Sequence, residues 1–202
     1  DGACGSTDDA CPLLFFLHGN TDNAHANLKH WQDLPNQGWV LAMPQSKNVM
    51  WAESYYWTDY QTTVSEVDKH YANLTNQYAI EPDKTIIAGF SMGGEMALGL
   101  ALSGQIPSKG FILLGPGGPF LDDDSFEDWA PFIEKAQGRN LRGVILMGDA
   151  DNTILHDNIH KMAALLNDNG IITQVKTFPD LKHEYPEDFN AVLKESLAFI
   201  LN

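Results

Sequence analysis

Cysteine is nearly absent from this chain. There are two, Cys4 and Cys11, both within the first dozen residues. A disulfide scaffold needs several pairs and a four-cysteine zinc site needs four thiolates, so both are excluded. The two thiols either close a small loop, which would place the protein in a secreted or periplasmic compartment, or stay free, in which case the cytoplasm is expected. Long apolar runs are also missing: the longest candidate, Leu13–Leu17, is strand-sized and far short of the roughly 20 residues that span a bilayer as a helix. Cations are scarce. Twelve Lys and Arg stand against 27 Asp and Glu, a formal charge of −15 over 202 residues. Nucleic acids and anionic membranes need a positive surface, so neither is expected as a partner, and no stable membrane insertion is expected. No internal repeat and no low-complexity linker divides the chain, so 1–202 reads as a single domain.

What is present is an alternation of apolar runs and amphipathic stretches. Residues 1–12 are polar and read as a loop. Leu13–Leu17 reads as a strand buried on both faces, as in a parallel sheet. A helix is expected over 24–34, a buried strand over 39–43, and a helix over 62–79, where Val64, Val67, Tyr71, Leu74 and Tyr78 recur at threes and fours. Glu81-Pro82-Asp83-Lys84 reads as a turn before a strand over 85–89 and a helix over 91–103. Strands are expected over 110–114, 144–147 and 172–178, and helices over 154–169 and 186–201. Residues 115–140 read as irregular. The repeating strand–helix order predicts an α/β fold, an open and mostly parallel central sheet with helices on both faces. In such sheets the chemistry sits on loops beyond the carboxyl ends of the strands.

The sharpest signal is Gly89-Phe90-Ser91-Met92-Gly93, a G-x-S-x-G between a β-branched run and a small-residue helix. A nucleophilic serine needs a tight strand-to-helix turn, where flanking side chains would collide with neighbouring backbone. The same turn puts the Met92 amide at a helix N-terminus, facing a developing oxyanion. A serine hydroxyl also needs a base and an orienting acid, which follow it in chain order in this architecture. Gly148-Asp149-Ala150-Asp151 ends a strand and supplies two acids. Asp151 sits at the outer bend and is favoured, whereas Asp149 is placed to tie the loop. His183, in the loop before the final helix, is the base candidate. His25, His30 and His70 read as ordinary surface histidines. His18-Gly19-Asn20 ends the first strand, with the Asn20 amide as second oxyanion donor and Thr21 as its alternative. His18 reads as a buried structural residue.

These residues resemble the α/β-hydrolase superfamily, and more narrowly its phospholipase/carboxylesterase group, which includes acyl-protein thioesterases. The matching pieces are Leu17-His18-Gly19, Pro44-Gln45-Ser46, Gly89-Phe90-Ser91-Met92-Gly93-Gly94, Gly148-Asp149-Ala150-Asp151 and His183. The resemblance implies a Ser91–His183–Asp151 triad with the Asn20 and Met92 amides as oxyanion hole, and no cofactor. It also implies strands ahead of the His-Gly strand, for which twelve polar residues leave minimal room. Glu184 stands where the group carries a small residue.

Other features are weaker. Trp51, Tyr55, Tyr56, Trp57 and Tyr60 crowd one segment. They either line a substrate pocket, with Trp51, Tyr56 and Trp57 as its binding residues, or cover the core. Phe120, Phe126, Trp129 and Phe132 form either a partial lid or a helix packed on the sheet. His156 and His160 lie four apart on a helix without a third ligand, so no metal site is expected. The expectation is a serine esterase acting on a small-molecule ester of short or medium acyl length, as a monomer or homodimer. A thioesterase or lysophospholipase on the same fold, and a non-catalytic binding module, are the alternatives.

Overall fold

A computed structural model describes residues 10–202. Cys4 lies outside them, and with it the question of a Cys4–Cys11 pair. The described chain runs β1 (Cys11–Leu17), α1 (Ala24–Trp31), β2 (Val40–Ala42), β3 (Val49–Trp51), β4 (Ser54–Tyr55), α2 (Tyr60–Thr75), β5 (Ile80–Phe90), α3 (Met92–Ser103), β6 (Gly110–Leu114), α4 (Pro119–Asp122), α5 (Ala130–Ala136), β7 (Arg142–Gly148), α6 (His156–Asp168), β8 (Ile172–Phe178) and α7 (Phe189–Leu201). Six strands form one sheet in the order β2-β1-β5-β6-β7-β8, every pairing parallel.

The continuous apolar runs follow from burial on both faces. Along β1, Leu13, Phe15 and Leu17 enter one core with residues of α2, α3, α5 and α6. Leu14 and Phe16 enter the other, with Trp31 of α1 and Phe189, Leu193, Leu197 and Ile200 of α7. Strand side chains alternate, so a strand covered on both sides has no polar position to spare.

Several boundaries differ from expectation. Cys11 and Pro12 belong to β1 and not to a preceding loop. The expected turn at 81–84 lies inside β5, at an irregularity of its pairing with β1. Cys11 pairs with Ile80 and Leu13 with Thr85, so the intervening stretch has no partner on β1. Helix α2 starts at Tyr60 because the Asp59 carboxylate caps the Thr62 N–H, and it stops at Thr75. The aromatic segment after β2 forms a two-stranded antiparallel hairpin, β3–β4. Residues 115–140 hold α4, a 3-10 turn at Glu127–Trp129, and α5. Their rings belong to the core: Trp129 and Phe126 are buried, and Phe120 and Phe132 pack against the same cluster. The rings of this segment pack as the helix alternative expects.

The chain leaves β1 toward β2 on one side and returns through β5 on the other. Strand order therefore reverses between β1 and β5, which opens a crevice at their carboxyl ends.

Candidate active site

Ser91 sits between β5 and α3 at φ 53° and ψ −124°, outside the usual regions for an L-residue. Its N–H donates to the Leu114 carbonyl, and its own carbonyl accepts from Gly94 and Glu95. The elbow rests against the end of β1. A Cβ at Gly93 would lie 2.3 Å from the carbonyl oxygens of both Leu17 and His18, so only glycine permits that approach.

Asp151 is buried at the end of β7. Its Oδ2 contacts His183 Nδ1 at 2.6 Å, and its Oδ1 accepts from the Thr153 N–H at 2.8 Å. Asp149 has the tethering role weighed for it: its Oδ1 accepts from the Asp180 N–H. With Asp149 N–H on Phe178 O and Ala150 N–H on Leu181 O, it binds the acid loop to the loop that carries His183. His183 then turns tightly, with the Glu184 N–H on Lys182 O at 2.8 Å. Ser91, Asn20, Met92 and His183 line a common cleft of about 790 Å³, with Asp151 behind His183. Among the described residues, no acceptor takes the N–H of Asn20 or of Met92.

His18 is fully buried beneath the Asn20 loop. Its Nε2 accepts from the Ser46 N–H at 3.2 Å, so the proton of the neutral ring lies on Nδ1 and goes to Gly19 O at 2.7 Å. Burial pulls its pKa below the ordinary histidine value, which agrees with a neutral structural ring.

Trp51, Tyr56 and Trp57 do not line the cleft. Tyr55 pairs with Asp22 and anchors the hairpin, which carries Trp51 out to solvent at 58% exposure. Trp57 is drawn under the loop instead. Its indole N–H donates to His18 O at 2.8 Å and its ring lies 4.9 Å from the His18 ring. The Tyr56 carbonyl accepts from Ser46 Oγ. Trp57 and the Tyr55 N–H thus support the loop after β1 from behind. The cleft is walled by Phe90, Pro119, Ile154 and Tyr185, with Asp22, Asp122 and Glu184 among its polar groups.

Three contributors escape sequence reasoning. Gly115, read only as a strand breaker, sits at φ 45° behind the acid–histidine pair; a Cβ there would lie 3.1 Å from His183 Nδ1 and 3.3 Å from Asp151 Oδ2. His30, read as a surface residue, lines the cleft and stacks on Tyr185 at 3.7 Å. His156, considered only as a metal ligand, has its Nε2 2.7 Å from Asp151 O. None carries a local motif, because each acts through a partner from another loop.

Sheet order, elbow and cleft define an α/β-hydrolase. A family model described as serine aminopeptidase, S33, matches residues 9–178, and the chain belongs to that family. The match ends at Phe178, short of His183. An uncharacterized protein from Bacillus cereus has a similar structure at 30% identity and a TM-score of 0.86; it matches all of this chain, which spans 64% of its length. Esterase PE8 is similar at 21% identity and a TM-score of 0.74, covering 98% of this chain and 94% of its own. SOBER1 of Arabidopsis thaliana is similar at 16% identity and a TM-score of 0.71, covering 96% and 100%. At the latter two identities the likeness is one of fold.

Proposed function

We propose that this protein is a serine hydrolase that cleaves carboxylic esters of small or short-to-medium acyl substrates through an acyl-enzyme. The observation that carries the reading is the 2.6 Å contact of Asp151 with His183 Nδ1 beside the cleft that Ser91 lines. With Nδ1 engaged by the carboxylate, Nε2 is the ring nitrogen left to exchange a proton with Ser91. His183 takes the Ser91 proton as the hydroxyl oxygen attacks the acyl carbonyl. The Asn20 and Met92 amides, which have no protein acceptor among the described residues, donate to the tetrahedral oxyanion. His183 then protonates the leaving alcohol and activates the water that releases the acid. Asp151 holds the ring orientation and balances its transient charge. No metal or cofactor takes part in the scheme.

The test is turnover of short p-nitrophenyl esters. Wild type should release p-nitrophenol, and Ser91→Ala should lower kcat at least about a thousandfold. Equal rates in the two proteins would refute the assignment. A fluorophosphonate probe should label wild type and not Ser91→Ala; an unlabelled, folded wild type is the signature of a binding module. The family description introduces amides as a second leaving-group class. Comparing kcat/KM for ester, thioester and amide of one acyl group separates an esterase from a thioesterase or peptidase.

A further inference from the structure

We propose that Tyr185 is a positioning residue whose hydroxyl couples the loop carrying His183 to the loop carrying the Asn20 amide, so that base and oxyanion donor are held in one geometry. This rests on the serine-hydrolase reading above and assigns Tyr185 no contact with reacting atoms.

Those loops have no common strand. Asn20 follows β1 and His183 follows β8, and β5, β6 and β7 lie between them in the sheet. Tyr185 stands two residues beyond His183. Its ring is stacked between His30 at 3.7 Å and Phe90 at 5.5 Å, the planes within 4° and 14° of parallel. Phe90 immediately precedes Ser91 and also meets the His183 ring at 4.7 Å. One column of rings therefore joins α1, the Tyr185 ring and the elbow.

A phenylalanine would keep every one of those ring contacts. The hydroxyl adds something else. It accepts from Trp31 Nε1 at 3.2 Å and donates to Asn27 Oδ1 at 2.7 Å. Asn27 Nδ2 in turn donates to Asp22 Oδ2 at 2.7 Å and to Asn23 O at 2.9 Å. The Asp22 carbonyl accepts from the Tyr55 N–H at 3.0 Å, and Asp22 Oδ1 accepts from the Asn23 N–H at 2.7 Å. Asp22 is thus fixed on both its backbone and its side chain, next to Thr21, which sits at φ 57°. The hydrogen bonds run from the His183 loop through Tyr185 and Asn27 to Asp22, two residues after Asn20 in the same loop. Burial pushes the phenol pKa well above its usual range, so the hydroxyl keeps its proton and remains a donor.

The experiment compares wild type, Tyr185→Phe, Asn27→Ala and the double variant on p-nitrophenyl acetate, with kcat expressed per fluorophosphonate-titrated site so that misfolded protein is not counted. Tyr185→Phe should lower kcat about tenfold with KM within about twofold, since only the alignment of reacting groups is lost. Asn27→Ala should do the same, and the double variant should be no worse than either, because both cut one path. A short alkylboronic acid, which bonds to the serine oxygen and presents a tetrahedral oxyanion, should bind about tenfold more weakly to Tyr185→Phe. A purely structural role would lower the titrated fraction and the melting temperature but leave these per-site values unchanged. Unchanged per-site kcat in Tyr185→Phe overturns the proposal, as do losses that multiply in the double variant. If Asn27→Ala does not fold, Tyr185→Phe and the boronic acid decide alone. A wild type that turns over no ester overturns this proposal together with the reading beneath it; an active wild type matched by Tyr185→Phe overturns only the coupling.

Discussion

Ser91 is held in a backbone conformation that costs on the order of 1–3 kcal/mol, and its surroundings show what holds it there. Its N–H is taken by Leu114 O, its carbonyl by two amides of α3, and its following turn is pressed onto β1. The same close tolerance appears at Gly115, behind His183 and Asp151. Gly115→Ala places a methyl group 3.1 Å from His183 Nδ1 in a left-handed backbone position. A displaced imidazole should lower kcat per titrated site by about ten- to a hundredfold, with a smaller change in KM; steady-state kinetics on a p-nitrophenyl ester measures it. Ser91, Asp151 and His183 stood out as candidates in the sequence because each follows a strand in a recognisable local context. Gly115 was not, because its requirement comes from two side chains on other loops.

Helix α3 and the segment behind β6 meet over a buried carboxylate. Glu95 is 2% exposed, its Oε2 accepts from the Leu121 N–H at 2.8 Å, and its Oε1 has no hydrogen-bond partner. Burial raises its pKa from 4.5 to about 7, against the opposing hydrogen bond from Leu121. The folded state therefore holds this proton more tightly than the unfolded chain. The associated stability is complete below the unfolded value of 4.5 and is lost as pH rises through about 7. Glu95→Gln keeps an oxygen acceptor for Leu121 and removes the ionisation. It should be more stable than wild type by up to about 3 kcal/mol at pH 8, with the gap closing toward pH 4.5; chemical denaturation across that range would reveal it, and a pH-independent gap would contradict it. The same packing explains why the rings of 115–140 turn to the core: they were readable as apolar, but the face they seek depends on where α3 lies.

Acidity surrounds the molecule and reaches the cleft. The charge of −15 comes with few cations, and two of these serve the interior. Arg139 donates to Ala101 O and Leu102 O at the end of α3, and Arg142 donates to Phe199 O in α7. At the cleft, Asp22, Asp122 and Glu184 face a single ammonium, Lys29. A cationic ester should therefore show a higher kcat/KM than an anionic ester of matched acyl group, by several-fold at low ionic strength. The ratio should shrink toward unity as salt shortens the screening length below about 10 Å. A ratio that ignores salt would mean that local contacts, and not the field, set the preference.

The order of strands and helices, the two-sided burial of the strands, and the candidacy of Ser91, Asp151 and His183 are all properties of short segments. Periodicity, the glycine elbow and the loop position of each candidate therefore expressed them directly. The cleft walls are different. Trp51, Tyr56 and Trp57 were expected there; instead Trp51 lies on the exposed hairpin, Tyr56 just beyond it and Trp57 against His18, while Phe90, Ile154 and Tyr185 took the place. An aromatic ring is apolar wherever it lies, so its sequence carries no direction. Only the packing of loops from β1, β5, β6, β7 and β8 around one crevice decides which rings face the cleft and which face the core.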